Sequence, residues 1–311
     1  MTDKPPRDMA ASVRARLMNY AKEHGELFDL VLIRFALERL LYRLSQSAYR
    51  DRFVVKGAMM FQVWSNQMHR PTRDLDLLGT GEPSVDSFVR LFRELCVQKV
   101  VDDGLVFIED SVSATKMKED EQYEGLRMKF EAKLSSARIP IQVDIGFGDA
   151  ITPGARMIVF PTVLALPAPE LHSYPRETVV AEKFQAMVAL GIANSRMKDF
   201  FDLSTLCTQF EFDGEVVRQA IEATFDRRKT SIPSSPPIAL TPEFYNDRQK
   251  SIQWNAFLKK SNLNSGNLNL ADVCNQLRDF IMPPAEAASR RETFCSLWVP
   301  TKGWINELPT Q

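Results

Sequence analysis

Lys56-Gly57-Ala58, followed after a short helical pattern by Arg70-Pro71-Thr72-Arg73-Asp74-Leu75-Asp76, is the stretch on which the reading of the chain turns. The apolar run Phe53-Val54-Val55 predicts a strand that ends in a glycine turn. Met59, Met60, Val63 and Trp64 then recur at helical spacing, and Ser65 and Asn66 stop the pattern. The chain returns as an extended segment, about 73 to 78, carrying two carboxylates one residue apart. Residues i and i+2 of a strand share a face, so Asp74 and Asp76 project together while Leu75 and Leu77 enter a core. Paired carboxylates repel unless a cation sits between them, and oxygen-only ligands suit Mg²⁺. A glycine turn entering a helix offers backbone N–H groups to phosphate. The two halves of the stretch are the parts of a metal–nucleotide site.

Working outward, composition sets bounds. At 311 residues the chain has length for two domains, and 44% apolar with 25% charged residues is ordinary for a soluble globular protein. Lys+Arg 39 against Asp+Glu 40 leaves a net charge of −1, which excludes a bulk basic field. A nucleic-acid partner would need a local patch, for which Arg227-Arg228-Lys229, Lys259-Lys260 and Arg290-Arg291 are candidates. Cys96, Cys207, Cys274 and Cys295 are far apart and are expected to be reduced and buried. His24, His69 and His172 are equally scattered, which argues against zinc. The N-terminus carries no apolar signal region and no run reaches a membrane span, so the expected compartment is the cytoplasm and no membrane partner is expected.

Periodicity predicts helices over 8–24 and about 27–48, then the strand ending at Lys56. Ser84 is the expected N-cap of a helix burying Phe88, Leu91, Phe92 and Leu95. Strands follow at 105–108, 111–115 and 126–133, the last alternating Leu126, Met128, Phe130 and Ala132 with Arg127, Lys129, Glu131 and Lys133. In 139–147 the odd positions are apolar, and Gln142 and Asp144 occupy the other face. A third carboxylate therefore stands mid-strand in a segment expected to pair in the same sheet. The first half reads as α+β, a mostly antiparallel sheet with helices on one side. Pro167 to Pro175 is read as a link, after which helices are expected near 177–191, 196–211, 213–228, 242–260 and 270–281. The tail 298–304 reads as an extended segment docking Trp298 and Trp304. The expected domains are 1–166 and 167–311, the second completing an active-site cleft.

Two charges sit inside apolar helical arcs. Lys183 lies among Val179, Val180, Phe184 and Met187, and Asp199 among Phe200, Leu203, Leu206 and Cys207. An unpaired buried charge costs several kcal/mol as an order of magnitude, so each needs a partner or a cavity. They form either a plain inter-helix ion pair or a phosphate-binding lysine with an orienting aspartate. Glu182 lies off the arc and is expected in solvent. Arg70 offers a fixed cation to Asp74 or to phosphate, and Thr72 a hydroxyl to a triphosphate.

Phe53-Val-Val-Lys-Gly-Ala-Met-Met-Phe61 with Arg70-Pro-Thr-Arg-Asp-Leu-Asp76 resembles the AbiEii/AbiGii toxin family of nucleotidyltransferases, within the DNA polymerase β-like superfamily. Val143-Asp144-Ile145-Gly146-Phe147-Gly148-Asp149 resembles the family's third-carboxylate strand. Glu177 with Glu182-Lys183-Phe184, and Ser195 through Leu203, resemble its two helical motifs. The matches run in family order across about residues 50 to 205. The resemblance implies a bilobed enzyme moving a nucleotide from an NTP with Mg²⁺, or Mn²⁺ in its place, onto the 3′ end of tRNA. It further implies a toxin of bacterial toxin–antitoxin and phage-defence systems with an antitoxin encoded nearby. By position it makes Asp74, Asp76 and Asp144 metal ligands, Lys183 a phosphate ligand and Asp199 a further active-site carboxylate. Gly57, Ala58, Arg70 and Thr72 would frame the nucleotide. Where superfamily members often carry Gly-Gly or Gly-Ser, this chain has Gly57-Ala58, so main chain, Thr72 or Arg70 must replace the missing hydroxyl. The same chemistry on a protein or small-molecule hydroxyl, and a non-catalytic nucleotide-binding module, are the alternatives.

Overall fold

The computed structural model describes residues 8–65, 70–120, 123–261, 263 and 268–306. The expected helix stop at Asn66, along with His69, lies outside them. The chain divides into two compact units, Met1–Gly148 with Arg156–Ser173, and Asp149–Ala155 with Tyr174–Gln311.

The first unit opens with α1 (Met9–Glu23), whose N-cap Asp8 accepts the Ala11 N–H, and α2 (Phe28–Ser45). After β1 (Phe53–Lys56), a single turn at Gly57–Met59 leads into α3 (Met60–Ser65) and then β2 (Asp74–Gly79). Helix α4 (Val85–Cys96) is capped by the Ser84 hydroxyl, which accepts from Ser87 N–H. The strands β3 (Leu105–Asp120), β4 (Tyr123–Leu134), β5 (Ala137–Phe147), β6 (Arg156–Val159) and β7 (Glu170–Ser173) complete the unit. The two short strands expected at 105–108 and 111–115 are one long strand, β3, interrupted by an irregularity between Ile108 and Ser113. Part of the expected proline link is strand β7, which pairs parallel with β1 at Val55 and Ser173. Its four-residue run Glu170–Ser173 is too short for periodicity to announce.

Seven strands lie in the order β3-β4-β5-β2-β1-β7-β6. The sheet is mixed: β2–β5 and β1–β7 are parallel, and the remaining pairs antiparallel. One core joins Val13 and Leu17 of α1, the length of α2, and Phe88, Leu91 and Phe92 of α4 to one face of the sheet. That face presents Leu75 and Leu77, Leu126 to Ala132 at even positions, and Ile139 to Ile145 at odd ones. Because the side-chain period is two, this register turns Asp74, Asp76, Arg127, Gln142 and Asp144 onto the opposite face. Helix α2 is buried on all sides over its last fifteen residues and carries charge inward. Its Arg43 holds Asp103 by two hydrogen bonds, 2.7 and 3.0 Å, which satisfies both buried ions.

The second unit contains α5 (Arg176–Leu190), α6 (Met197–Gln209), β8 (Phe212–Asp213), α7 (Gly214–Arg227), α8 (Pro242–Tyr245), α9 (Arg248–Lys260), α10 (Leu270–Arg290), β9 (Ser296–Val299) and β10 (Gly303–Asn306). The helix expected over 242–260 is broken at Asn246–Asp247, where Asp247 caps α9 by accepting the Lys250 N–H. The helix expected to end at 281 continues through Pro283 and Pro284 to Arg290. Burial of Ile281, Met282, Pro284, Ala285, Ala287 and Ala288 sustains it against the proline penalty. The tail is a hairpin rather than a single extended segment, and its tryptophans are docked as expected. Trp298 Nε1 donates to the Cys207 carbonyl and Trp304 Nε1 to that of Phe280. Three cysteines are buried, whereas Cys295 is exposed, contrary to expectation, because it lies in the loop before β9.

Candidate active site

The sheet register assembles the carboxylates. Asp76 of β2 is level with Asp144 of β5, Asp74 with Gln142, and Lys56 of β1 with Asp76. One carboxylate oxygen from each of Asp74, Asp76 and Asp144 lies within 4.8 Å of the other two. All three side chains are half-buried on the face opposite the helices. The donors are all hard oxygens, which fits Mg²⁺ or Mn²⁺ and does not suit a soft metal.

Each carboxylate is set by a neighbour. Thr72 Oγ1 donates to Asp74 Oδ1 at 2.7 Å, so the hydroxyl expected to face a triphosphate is directed at a carboxylate. Gly57 stands at φ +77°, and a Cβ added there would penetrate Asp76 Oδ2 and lie 2.7 Å from the Asp76 Cβ. The glycine is therefore required twice, for its backbone conformation and for the space that Asp76 fills. Ala58 is half-buried at the same turn, and Arg70 is half-buried at a bend before β2.

Asp144 has a partner that the motif reading missed. Arg127 of β4, level with Asp144 in the antiparallel register, holds it with a guanidinium fork. Nε donates to Oδ1 at 2.8 Å and an Nη to Oδ2 at 2.7 Å. Gln142 Nε2 adds a bond to Oδ2 at 3.3 Å. Hydrogen bonding to Asp144 holds the Arg127 guanidinium above its ordinary pKa, outweighing partial burial. A carboxylate has about four acceptor positions, two on each oxygen, so Asp144 Oδ1 keeps one for a cation while Oδ2 has both taken by Arg127 and Gln142. The signal was present in the alternation of 126–133: Arg127 points away from the core, as Asp144 does on the adjoining strand.

In the second unit, Lys183 and Asp199 are partners. Lys183 Nζ donates to Asp199 Oδ1 at 2.6 Å and stands 2.9 Å from Asp202 Oδ2. Arg196 Nε donates to Asp199 Oδ2 at 2.6 Å. Both aspartate side chains are only 1% exposed, and that of Lys183 is 14% exposed. Burial pushes the Asp199 carboxyl up, but Lys183 and Arg196 outweigh it and hold it below the usual range. Asp202 was not singled out in sequence, although it follows Asp199 by one helical step of three. Glu182 is not in solvent: its side chain is 17% exposed and lies 3.9 Å from Arg228. Arg228, one of the candidate nucleic-acid cations, also donates to Asp149 at 3.1 Å and to Gln185 at 2.8 Å. That internal network removes it from the candidate patch. Lys259, Lys260, Arg290 and Arg291 are exposed.

No helix among the described residues is long and apolar enough to cross a membrane. No functionally curated protein matches the chain in sequence. The solved structures similar to this chain include two from Helicobacter pylori. A proposed nucleotidyltransferase is 14% identical over 82% of this chain and 93% of its own, with a TM-score of 0.46. The protein JHP933 is 13% identical over 82% and 90%, with a TM-score of 0.44. Both scores are too low to define the fold of this chain. The model of the nucleotidyl transferase AbiEii toxins, type IV toxin–antitoxin system, matches residues 39–277, a span that contains the Gly57 turn, all three clustered aspartates, Lys183 and Asp199. This chain is a nucleotidyltransferase and belongs to the AbiEii toxin family of type IV toxin–antitoxin systems.

Proposed function

We propose that the protein moves a nucleoside monophosphate from an NTP to the 3′-terminal hydroxyl of a tRNA. In this reading it is the toxin of a pair, acts in the cytoplasm, contributes to phage defence and is restrained by an antitoxin encoded beside it. The observation that carries the chemistry is the convergence of Asp74, Asp76 and Asp144 within 4.8 Å. A hydroxyl oxygen bonds to the α-phosphorus, the bond from that phosphorus to pyrophosphate breaks, and the hydroxyl proton is lost.

The three aspartates would hold Mg²⁺, or Mn²⁺ in its place. When bound, the metal supplies in-line alignment of the hydroxyl with the α-phosphate and neutralises the departing pyrophosphate. The chain's own contribution is to keep its carboxylates fixed beforehand. Gly57 makes room for Asp76, Thr72 turns Asp74, and Arg127 with Gln142 hold Asp144. Gly57, Ala58 and Arg70 are assigned to the nucleotide phosphates, Ala58 through its main chain. Thr72 is assigned there too, and reaches phosphate only by releasing Asp74. In the second unit, Lys183 is assigned to phosphate and Asp199 to orienting it, with Asp202 sharing that role.

The test is transfer of label from an NTP carrying radioactive α-phosphate to purified tRNA in the presence of Mg²⁺. Wild type is expected to label tRNA and Asp76→Ala to lose the activity. Full transfer by Asp76→Ala would sink the mechanism. Label on a protein or a small molecule, with tRNA untouched, would replace the acceptor and leave the mechanism standing.

A further inference from the structure

The open face of the sheet continues beyond the aspartates. The pairing registers align Thr115, Arg127, Asp144, Asp76 and Lys56 in one row across β3, β4, β5, β2 and β1. The next row holds Ser113, Lys129, Gln142 and Asp74. Further along the same face Lys133 pairs with Arg138, with Glu131 between the two rows. Ser113, Thr115, Lys129, Lys133 and Arg138 are exposed.

The charge on this wing is unbalanced. Lys129 and Lys133 make no ion pair among the described residues, and Arg138 approaches Glu131 only at 4.0 Å, with side chains 72% and 46% exposed. A contact that long and exposed leaves the guanidinium solvated. A protein of net charge −1 thus places solvated cations on this wing beside its acidic cluster. Lys129 is two strands from Asp74, about 10 Å at the usual inter-strand spacing. Lys133 lies four residues on, about 13 Å further along the strand. A chain of phosphates entering the site from this side would meet a cation at each of those distances. The Gln142 amide, on β5, lies between Lys129 and Asp74, and on the outer strand β3 the Ser113 and Thr115 hydroxyls flank the cations, all offered to sugar and phosphate oxygens.

We infer that the exposed β3–β4–β5 wing, through Lys129, Lys133 and Arg138, is the surface that receives the phosphate backbone of an RNA acceptor and leads its terminal hydroxyl to Asp74, Asp76 and Asp144. The partner follows from charge complementarity, since a flat row of solvated cations leading to a nucleotidyl-transfer site fits a polyanion rather than a folded apolar surface. The inference rests on RNA being the acceptor, and binding can be measured apart from transfer.

The experiment uses fluorescein-labelled bulk tRNA and anisotropy, with the full chain, in parallel with labelled-NTP transfer. Lys129→Glu/Lys133→Glu is expected to weaken tRNA binding about tenfold or more and to raise the KM for tRNA alike, with the NTP KM unchanged. The slope of log K against log salt should fall by about two, and Lys129→Arg/Lys133→Arg should bind as wild type does. Circular dichroism and NTP binding by the Glu variant report that it is folded. Unchanged tRNA affinity in the folded Glu variant overturns the surface even if wild type transfers to tRNA. Wild type that binds tRNA through these lysines yet transfers label elsewhere overturns the acceptor assignment and keeps the surface. Wild type that binds no RNA and labels protein overturns both.

Discussion

At the scale of single residues, the site depends on atoms that are not themselves candidate metal ligands. Gly57 is the clearest case, because a methyl group there collides with the Asp76 side chain and the backbone stands at φ +77°. Gly57→Ala is expected to displace the Asp76 carboxylate and lower nucleotidyl transfer about 10²-fold, the scale of an ångström-sized misplacement. The check is Mn²⁺ binding by electron paramagnetic resonance alongside the transfer assay, and wild-type values in both would show that the turn yields harmlessly. Arg127 acts through Asp144 and is a positioning residue. Arg127→Lys keeps the charge but loses the fork that meets both oxygens, so it is expected to reduce kcat about 10–100-fold. If Arg127→Lys retains full kcat while Arg127→Gln does not, charge alone matters and the fork is incidental.

Elements determine how much of this was legible beforehand. The three aspartates were readable because strands with one face in a core alternate strictly, and Leu75, Leu77, Val143 and Ile145 fix which face the carboxylates take. Arg127 was readable only as an outward side chain, since its pairing depends on the β4–β5 register that joins residues seventeen apart. Strands β6 and β7 were not legible, being four residues each and recognised by their partners rather than their own pattern. The buried charges of α2 were missed for a related reason, because helical periodicity does not say that a second layer will cover the polar side. Among these, Glu38 is 3% exposed. Burial outweighs Arg39, 2.7 Å away, and the Val163 N–H, and pushes its carboxyl up to about 7. The folded state therefore prefers the uncharged acid. Its contribution to stability is complete below the ordinary value of 4.5 and is lost as pH rises through about 7. Glu38→Gln keeps an acceptor for Val163 and should flatten that dependence, narrowing or reversing any loss relative to wild type by up to about 3 kcal/mol above pH 7. Urea denaturation at several pH values is the measurement, and parallel curves for the two proteins would remove Glu38 from the account.

Across the whole molecule, the acidic cluster should appear as a cost to stability that the metal relieves. Asp74, Asp76 and Asp144 bring carboxylate oxygens within 4.8 Å of one another, and a guanidinium fork meets Asp144. Without a cation the folded state carries their repulsion, which the unfolded chain escapes. Binding of a divalent ion to the folded state alone raises stability by mass action, by about 2.7 kcal/mol at a hundred times Kd. For a protein of this size each kcal/mol corresponds to about 2–4 °C. Calorimetry of wild type in EDTA and in Mg²⁺ is expected to show an upward shift on that scale, with unchanged far-UV circular dichroism in both. Asp76→Asn, which removes one charge and keeps the shape, should melt above wild type in EDTA and below it in Mg²⁺. Transfer should vanish in EDTA and return with Mg²⁺. Crossing of the two melting orders ties the cluster to a bound cation independently of any acceptor. If Asp76→Asn and wild type keep the same order in both conditions, the three carboxylates are a solvated surface cluster and the metal must be held elsewhere.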